Sequence, residues 1–294
     1  MVVLLRLGRR PWVEYAALVE ERGSTAAVLE DELQGDKEQT ALFSTSTPTD
    51  TTNPDTLLDQ ARADVERWSA QGMHLLTVLD PAYPPNLRAV HDRPPMVFVK
   101  GRLTPEDAKC VAVVGARNAT VTGVKQARAI AGHLVDSGYT VVSGLAAGID
   151  TAAHTAALTA GGRTVAVIGT GIDRSYPPQN ADLQERLATQ GLVISQFLPG
   201  SPPTKASFPM RNAVMSGYAL ATVVVEVGDR SGSRVQARLA LQHGRHVFLM
   251  HSLLEHAWAR DYAERPGVTV VETADDVFAG LQRLASESID LVWA

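Results

Sequence analysis

The chain has 294 residues, of which 45% are hydrophobic, and it carries 27 Lys and Arg against 32 Asp and Glu, a formal net charge of −5. A chain of this size can bury a large core, so we expect one large domain and something smaller. No apolar run is long enough to span a bilayer, and the apolar stretch at the start is too short for a secretory signal. The single cysteine, Cys110, excludes a disulfide framework and a cysteine-rich zinc site. We therefore expect a cytoplasmic protein without a membrane partner.

The net negative charge is not typical of a nucleic-acid-binding protein, but the charges are unevenly distributed. Residues 109–211 carry nine Lys and Arg and five Asp and Glu, an excess of four positive charges. Residues 1–70, by contrast, carry seven Lys and Arg and 13 Asp and Glu. A local positive excess is what a phosphate backbone requires, although scattered surface charges would also explain a difference of this size.

The first 70 residues show helical patterns and no strand pattern. Apolar residues recur at helical spacing in residues 1–33 and again in residues 54–70. The intervening residues 34–53 are rich in Thr, Ser, Asp and Gly, which is typical of a mobile linker. We therefore predict a helical N-terminal module over residues 1–70, followed by a larger domain over residues 71–294.

Beyond residue 70, short apolar strand patterns alternate with helical ones. We predict strands at residues 75–79, 96–99, 111–114, 140–143, 164–168, 192–195, 222–227, 246–249 and 268–271. Glycine stands close after most of these strands. The alternation is typical of an α/β fold with a doubly wound parallel sheet.

Two of the predicted strands end in glycine-bearing turns, Gly115-Ala116-Arg117 and Ser143-Gly144. Such turns lie at the carboxyl ends of parallel strands, where their N–H groups can hold a phosphate and an arginine adds donors. The first turn is not G-x-G-x-x-G, and no acidic residue ends the second strand, so NAD binding is disfavoured. No P-loop motif is present. Taken alone, the glycines are explained equally well by close packing between helices and strands.

Several motifs, in order along the chain, resemble the DNA-processing protein A family, also called DprA or Smf. They are Tyr83-Pro84, Val113–Arg117, Ser143–Asp150, Gly162–Gly171, Ile172–Asn180, Phe208–Asn212 and Ser231–Ser233. The resemblance implies an extended Rossmann-like domain that binds single-stranded DNA, forms a homodimer and assists loading of a RecA-type recombinase. It also implies a binding protein without established catalysis, so we predict no catalytic residues and no cofactor. Ala213 departs from the family pattern, which has a further arginine there.

On this resemblance, the DNA site combines small-residue turns, cations and an aromatic ring. The candidate residues are Gly115, Ala116, Arg117, Ser143, Gly144, Arg163, Gly169, Arg174, Lys205, Phe208, Arg211, Asn212, Ser231 and Gly232. The basic members would contact phosphates, and Phe208 would stack on a base. Tyr176 is a second candidate for stacking.

Two other functions of the same superfamily stay open. A phosphate-binding turn does not distinguish a small nucleotide from one link of a DNA strand, so a nucleotide-sensing domain is an alternative. A nucleotide phosphoribohydrolase is less favoured, because Gln236 stands where those enzymes carry a catalytic glutamate and an amide is no general base.

The remaining ionisable residues predict no further site. Asp150 and His154 are four residues apart on a predicted helix, a spacing more typical of helix capping than of catalysis. The four histidines between residues 243 and 256 lack the spacing of metal ligands. We therefore predict no metal site.

Overall fold

The structure is a computed structural model that describes residues 1–43, 54–228 and 232–292. In this part of the chain a nine-stranded sheet forms the centre of the molecule. The strands are β1 (His74–Thr77), β2 (Met96–Gly101), β3 (Cys110–Val114), β4 (Thr140–Ser143), β5 (Thr164–Val167), β6 (Leu192–Ser195), β7 (Ala221–Val224), β8 (His246–Met250) and β9 (Val268–Val271).

The order of the strands across the sheet is β1-β2-β6-β5-β4-β3-β7-β8-β9. Strands β3 to β9 are parallel to one another, whereas β2 pairs antiparallel with β6 and β1 pairs antiparallel with β2. The chain runs outward from β3 to β6 and then returns to place β7 on the other side of β3. The direction of winding therefore reverses between β3 and β7, which is the topological switch point of a doubly wound sheet.

Helices cover both faces of this sheet. They are α1 (Val2–Leu7), α2 (Trp12–Arg22), α3 (Thr25–Phe43), α4 (Pro54–Ala70), α5 (Pro85–Arg88), α6 (Val121–Asp136), α7 (Ile149–Thr159), α8 (Ala181–Gln190), α9 (Ser207–Tyr218), α10 (Gly232–Gln242), α11 (Ala257–Ala263) and α12 (Ala274–Val292). Every residue of β3 to β7 is buried, as expected for strands covered on both faces. No helix in the described ranges is both long and apolar enough to cross a bilayer.

The N-terminal helices pack against the antiparallel edge of the sheet. Trp68 of α4 contacts Phe98 of β2 edge to face, with ring centroids 5.2 Å apart. Trp12 of α2 lies 6.0 Å from Phe197, which follows β6. Buried residues from the helices and from the sheet form one hydrophobic core. The helical module is therefore joined to the sheet by shared apolar packing.

One prediction from the sequence is corrected here, and the structure adds a detail to another. Helix α3 continues to Phe43, so residues 34–43 are helical instead of a linker, because their Glu, Lys, Gln and Ala residues favour a helix despite one glycine. The rest of the predicted linker, residues 44–53, lies outside the described residues. The predicted doubly wound sheet is present, and two antiparallel strands extend its parallel part at one edge. Between β1 and β2 the chain forms only the four-residue α5, too short a helix to cross over the sheet as parallel pairing requires.

His154 makes the stability of this fold depend on pH. It lies in α7, is fully buried, and its Nδ1 is 2.7 Å from Oγ1 of Thr164 in β5. Burial lowers the pKa of His154 from 6.5 to about 3. The unfolded chain thus takes up a proton at this residue as the pH falls below 6.5, while the folded chain does not until about pH 3. The contribution of His154 to stability is therefore full above pH 6.5 and is lost as the pH falls through that window.

We predict that His154→Asn flattens the loss of stability in mild acid. Between pH 7 and pH 5 the wild-type His154 should cost about 2 kcal/mol of the free energy of unfolding, a loss that the variant cannot show. Urea unfolding of both proteins at these two pH values measures the difference. The variant is expected to be less stable at pH 7, because it loses packing around the ring. The comparison therefore concerns how much free energy of unfolding each protein loses between pH 7 and pH 5. Equal losses in the two proteins would contradict the prediction.

Candidate nucleic-acid interface

A cavity of about 470 Å³ opens at the carboxyl ends of the strands, at the switch point between β3 and β7. Its walls come from the turn after β3, the first turns of α9 and the start of α10. This is where open α/β sheets bind ligands, because the loops diverge to opposite faces there and leave a crevice.

The turn after β3 is fixed by contacts across the switch point. A Cβ on Gly115 would lie 2.4 Å from Cγ1 of Ile149, so only glycine allows this approach of α7. Thr120 caps α6 by accepting a hydrogen bond from the N–H of Gly123 at 3.0 Å. Glu226, just beyond β7, accepts from the N–H of Thr120 at 3.0 Å and from its hydroxyl at 2.7 Å. The start of α6 is thereby tied to the end of β7.

The turn after β4 is held by the carboxylate of Asp150. Its Oδ2 accepts hydrogen bonds from the N–H groups of Gly144 and Ala146, both at 3.2 Å. Gly148 has φ of 78°, and a Cβ there would lie 2.3 Å from the carbonyl oxygen of Ala116. Because Asp150 already occupies the N–H of Gly144, that group is not free to bind a phosphate. The sequence predicts that Asp150 caps a helix. In the structure its carboxylate also fixes the turn after β4 through these two hydrogen bonds.

Arg211 of α9 is a buried cation in the wall of the cavity, with 6% of its surface exposed. Its Nη1 donates to the carbonyl oxygen of Val167 at 3.2 Å. Burial lowers the pKa of the guanidinium, and the nearby Asp150 carboxylate opposes that change. Burial likewise raises the pKa of Asp150, against the effect of Arg211. Both groups are therefore buried, and each favours the charged form of the other.

The Nε of Arg211 is buried and has no hydrogen-bond partner within the described part of the chain. An unsatisfied donor in such a place is costly, and a cationic one favours an anion that supplies the missing acceptor. Gly144 allows the guanidinium to sit where it does, since a Cβ there would lie 1.3 Å from Nη1. The wall of the cavity therefore contains a cationic donor without an acceptor among the described residues.

An aromatic and cationic rim borders the cavity. Phe208 lies in the first turn of α9, and the guanidinium carbon of Arg117 stands 5.1 Å from the centre of its ring. Tyr176, 41% exposed, lies on another side of Phe208 with ring centroids 5.7 Å apart and planes inclined by 41°. A smaller cavity of about 80 Å³ lies between Tyr176, Gly169 and Phe208. Together, the rings and the exposed Arg117 offer faces for bases beside a charge for phosphate.

Other predicted residues lie at the same edge. Asn212 is buried and donates to the carbonyl oxygen of Gly232 at 3.3 Å, which joins α9 to α10. Ala116 and Gly232 also border the larger cavity. Lys205 and Arg174 are exposed, one in the turn before α9 and the other in the loop after β5. The structure thus gathers small-residue turns, an aromatic ring and several cations at one edge of the sheet.

Two predicted site residues, Ser143 and Arg163, do not join this group. Ser143 is fully buried and its hydroxyl donates to the carbonyl oxygen of Val113 at 2.7 Å, so it holds β4 against β3. Arg163 precedes β5 and therefore lies at the opposite edge of the sheet, where it donates to Asp107 Oδ2 at 2.7 Å. The prediction that these two residues contact the ligand is corrected for those reasons. Ser231 lies outside the described residues.

The comparison with known proteins places the chain in a family. Residues 74–282 match the model of the DNA recombination-mediator protein A family. The chain belongs to this family. DNA processing protein DprA of Bacillus subtilis is 33% identical over 217 residues, which cover 73% of each chain. DprA of Streptococcus pneumoniae is 42% identical over 172 residues, 58% of this chain and 61% of that protein.

Protein Smf of Synechocystis is 40% identical over 188 residues, and the chain spans about half of its length, 47%. The X-ray structure of DprA from Streptococcus pneumoniae superposes with a TM-score of 0.65 and 34% identity, covering 78% of this chain and 83% of that one. DprA from Helicobacter pylori, whose structure is titled for its mode of single-stranded DNA binding, gives a TM-score of 0.61 at 24% identity, over 68% of this chain and 93% of that one. The predicted family and the predicted α/β, Rossmann-like fold are therefore confirmed.

We predict that Gly144→Ala destabilises the protein because its methyl group would occupy the position of the Arg211 guanidinium. Overpacking of this kind typically costs about 1–3 kcal/mol of the free energy of unfolding. Gly132→Ala is the matched control: Gly132 lies within α6, and no atom is within 4 Å of an added Cβ. The control should be stabilised by up to about 1 kcal/mol through helix propensity. Urea unfolding measures both, and a Gly144→Ala protein as stable as the control would refute the described packing.

Proposed function

We propose that this protein binds single-stranded DNA along the carboxyl edge of its sheet. The observation that carries the proposal is the group formed by Arg117, Phe208 and Tyr176 beside the unsatisfied, buried Nε of Arg211. A phosphate would pair with the two arginines, and neighbouring bases would stack on the aromatic rings. Stacking requires bases whose faces are free, which a single strand provides and a duplex does not.

The cations outside the cavity favour a polymer over a small nucleotide. Arg174 and Lys205 are exposed in loops at the same edge, beyond the space that one nucleotide would fill. We propose that they contact further phosphates of a bound strand. The cavity of about 470 Å³ is nevertheless large enough for a mononucleotide, so nucleotide sensing is the competing function that a test must separate.

Hydrolysis of a nucleotide finds less support. Gln236 borders the cavity where a phosphoribohydrolase would carry its glutamate. With its amide suitably oriented, Gln236 donates to the carbonyl oxygen of Asn212 at 3.1 Å and accepts from the N–H of Ser216 at 3.3 Å, so it bridges α9 and α10. Glu226 is engaged with Thr120. We therefore propose a binding protein, not an enzyme.

Membership of a recombination-mediator family supports a wider proposal. We propose that the protein works as a homodimer and helps to load a RecA-type recombinase on the strand that it binds. A mediator of this kind has to hold the DNA without reading its sequence, and contacts to phosphates and to base faces are independent of sequence.

Titration with oligo-dT of increasing length, at low and at high salt, tests the binding of a polymer. Affinity should rise with length until the rim is filled and should fall steeply with salt, because phosphate contacts release counterions. Tight binding of a deoxynucleoside monophosphate, with no gain from added nucleotides, would instead assign the cavity to a small nucleotide.

We predict that Phe208→Ala weakens oligo-dT binding by about 1–3 kcal/mol, the usual contribution of one stacked base. Arg117→Ala should lower the affinity and reduce the slope of its salt dependence by about one, because one phosphate contact is lost. Both side chains lie at the rim of the cavity, Arg117 exposed and Phe208 partly so.

Arg186→Ala is the control for these variants, since Arg186 is an exposed residue of α8 that borders neither cavity. It should bind like the wild type. Fluorescence anisotropy with labelled oligo-dT gives all three affinities, and circular dichroism checks that each variant is folded. Unchanged affinity in both Phe208→Ala and Arg117→Ala would overturn the proposed site.

A further inference from the structure

A second cluster of ionisable side chains lies away from the cavity. His243 follows the last residue of α10, and its Nε2 is 2.6 Å from Oδ1 of Asp92, in the segment between α5 and β2. The ring of His91 meets that of His243 edge to face, with centroids 5.5 Å apart. One ligand atom from each of these three residues lies within 4.8 Å of the others. We call this group the His91–Asp92–His243 cluster.

The cluster is separate from the proposed DNA site. Helix α10 begins at Gly232, which borders the cavity, and His243 stands eleven residues further along the chain. At 1.5 Å per residue this separation is about 16 Å. None of the three residues borders either of the two cavities described above.

We propose that the His91–Asp92–His243 cluster binds a divalent transition-metal ion of the zinc class. Two imidazole nitrogens and one carboxylate oxygen are typical ligands of Zn²⁺, whereas Mg²⁺ and Ca²⁺ take oxygen ligands. Three protein ligands leave a fourth position for water. Asp92 forms no ion pair with a Lys or Arg within the described residues, so its charge is available to the cation.

Hydrogen bonds behind His243 orient it as a metal ligand. The hydroxyl of Ser216 donates to the carbonyl oxygen of Ala213 at 3.1 Å, and its oxygen lies 2.9 Å from Nδ1 of His243. With the hydroxyl proton so used, Ser216 accepts from the Nδ1–H of His243. The Nε2 then turns a lone pair toward the Asp92 carboxylate, an arrangement that requires a proton or a metal ion between them. A metal-bound histidine is usually held in this way through its second nitrogen.

The geometry needs two adjustments to close around an ion: the 2.6 Å between Nε2 of His243 and Oδ1 of Asp92 has to widen, and the ligand nitrogen of His91 has to move closer. Ligand atoms around a tetrahedral zinc stand about 3.4 Å apart, given bonds of about 2.1 Å. His243 is buried and fixed, Asp92 is partly exposed, and His91 is exposed. Rotation of His91 would bring its nitrogen inward, and the exposed side of the cluster offers the ion a path of entry.

A bound ion would join three parts of the fold. His91 and Asp92 belong to the segment between α5 and β2, His243 ends α10, and Ser216 lies near the end of α9. Helices α9 and α10 both start at the larger cavity. The ion would therefore fasten their far ends to the segment that also carries Arg93, which pairs with Glu20 of the N-terminal helices.

The test is isothermal titration calorimetry, in which zinc chloride is added to the untagged, metal-stripped protein. We expect one zinc ion per chain and a higher unfolding temperature in its presence, since a ligand that binds the folded state stabilises it. Substitution with Co²⁺ gives a second readout, because a tetrahedral cobalt site absorbs visible light. His91→Ala and Asp92→Asn should each weaken zinc binding by about tenfold or more.

His74→Ala is the control, since His74 is an exposed histidine of β1 outside the cluster. It should bind zinc like the wild type. The unfolding temperature of each metal-free variant shows whether that variant is folded. We expect His91→Ala to fold, because His91 is exposed. An absence of saturable binding at one ion per chain would overturn the proposal. Binding of equal strength in the wild type, His91→Ala and Asp92→Asn would overturn it as well.

Discussion

The candidate site depends on the electrostatic interaction of two buried groups, Asp150 and Arg211. Neither could be buried alone, because an isolated ion in a low-dielectric interior costs several kcal/mol. Asp150 also fixes the turn after β4 through two backbone N–H groups, and Arg211 connects α9 to the end of β5. The pair therefore sets the positions of the turns and of the helix that carries Phe208. The guanidinium of Arg211 also forms part of the wall of the larger cavity.

Most of the sheet could be predicted from the sequence, because strands buried on both faces are continuous apolar runs. The predicted limits of the strands at residues 140–143, 192–195 and 268–271 are those of β4, β6 and β9. Antiparallel pairing of β1 and β2 could not be predicted in this way. An apolar run gives no direction, and the intervening proline-rich segment does not show whether the chain turns back.

The candidate site was less predictable, because its residues are far apart in the sequence and are brought together only by the order and direction of the strands. Arg163 adjoins a glycine motif in sequence, yet it stands before a strand and so at the opposite edge from Arg117. Ser143 ends a strand, but its side chain turns inward to the backbone of β3. Asp92 and His243 are 151 residues apart, so no spacing rule could have paired them.

The shared core of the N-terminal helices and the sheet has a consequence for how the protein can be divided. Phe98 on β2 is fully buried, and Trp68 of α4 is one of the residues that cover it. A fragment that began at residue 71 would present this aromatic surface and an antiparallel edge strand to water. Such surfaces associate readily with other chains, so the Rossmann-like part is best handled together with the helices that precede it.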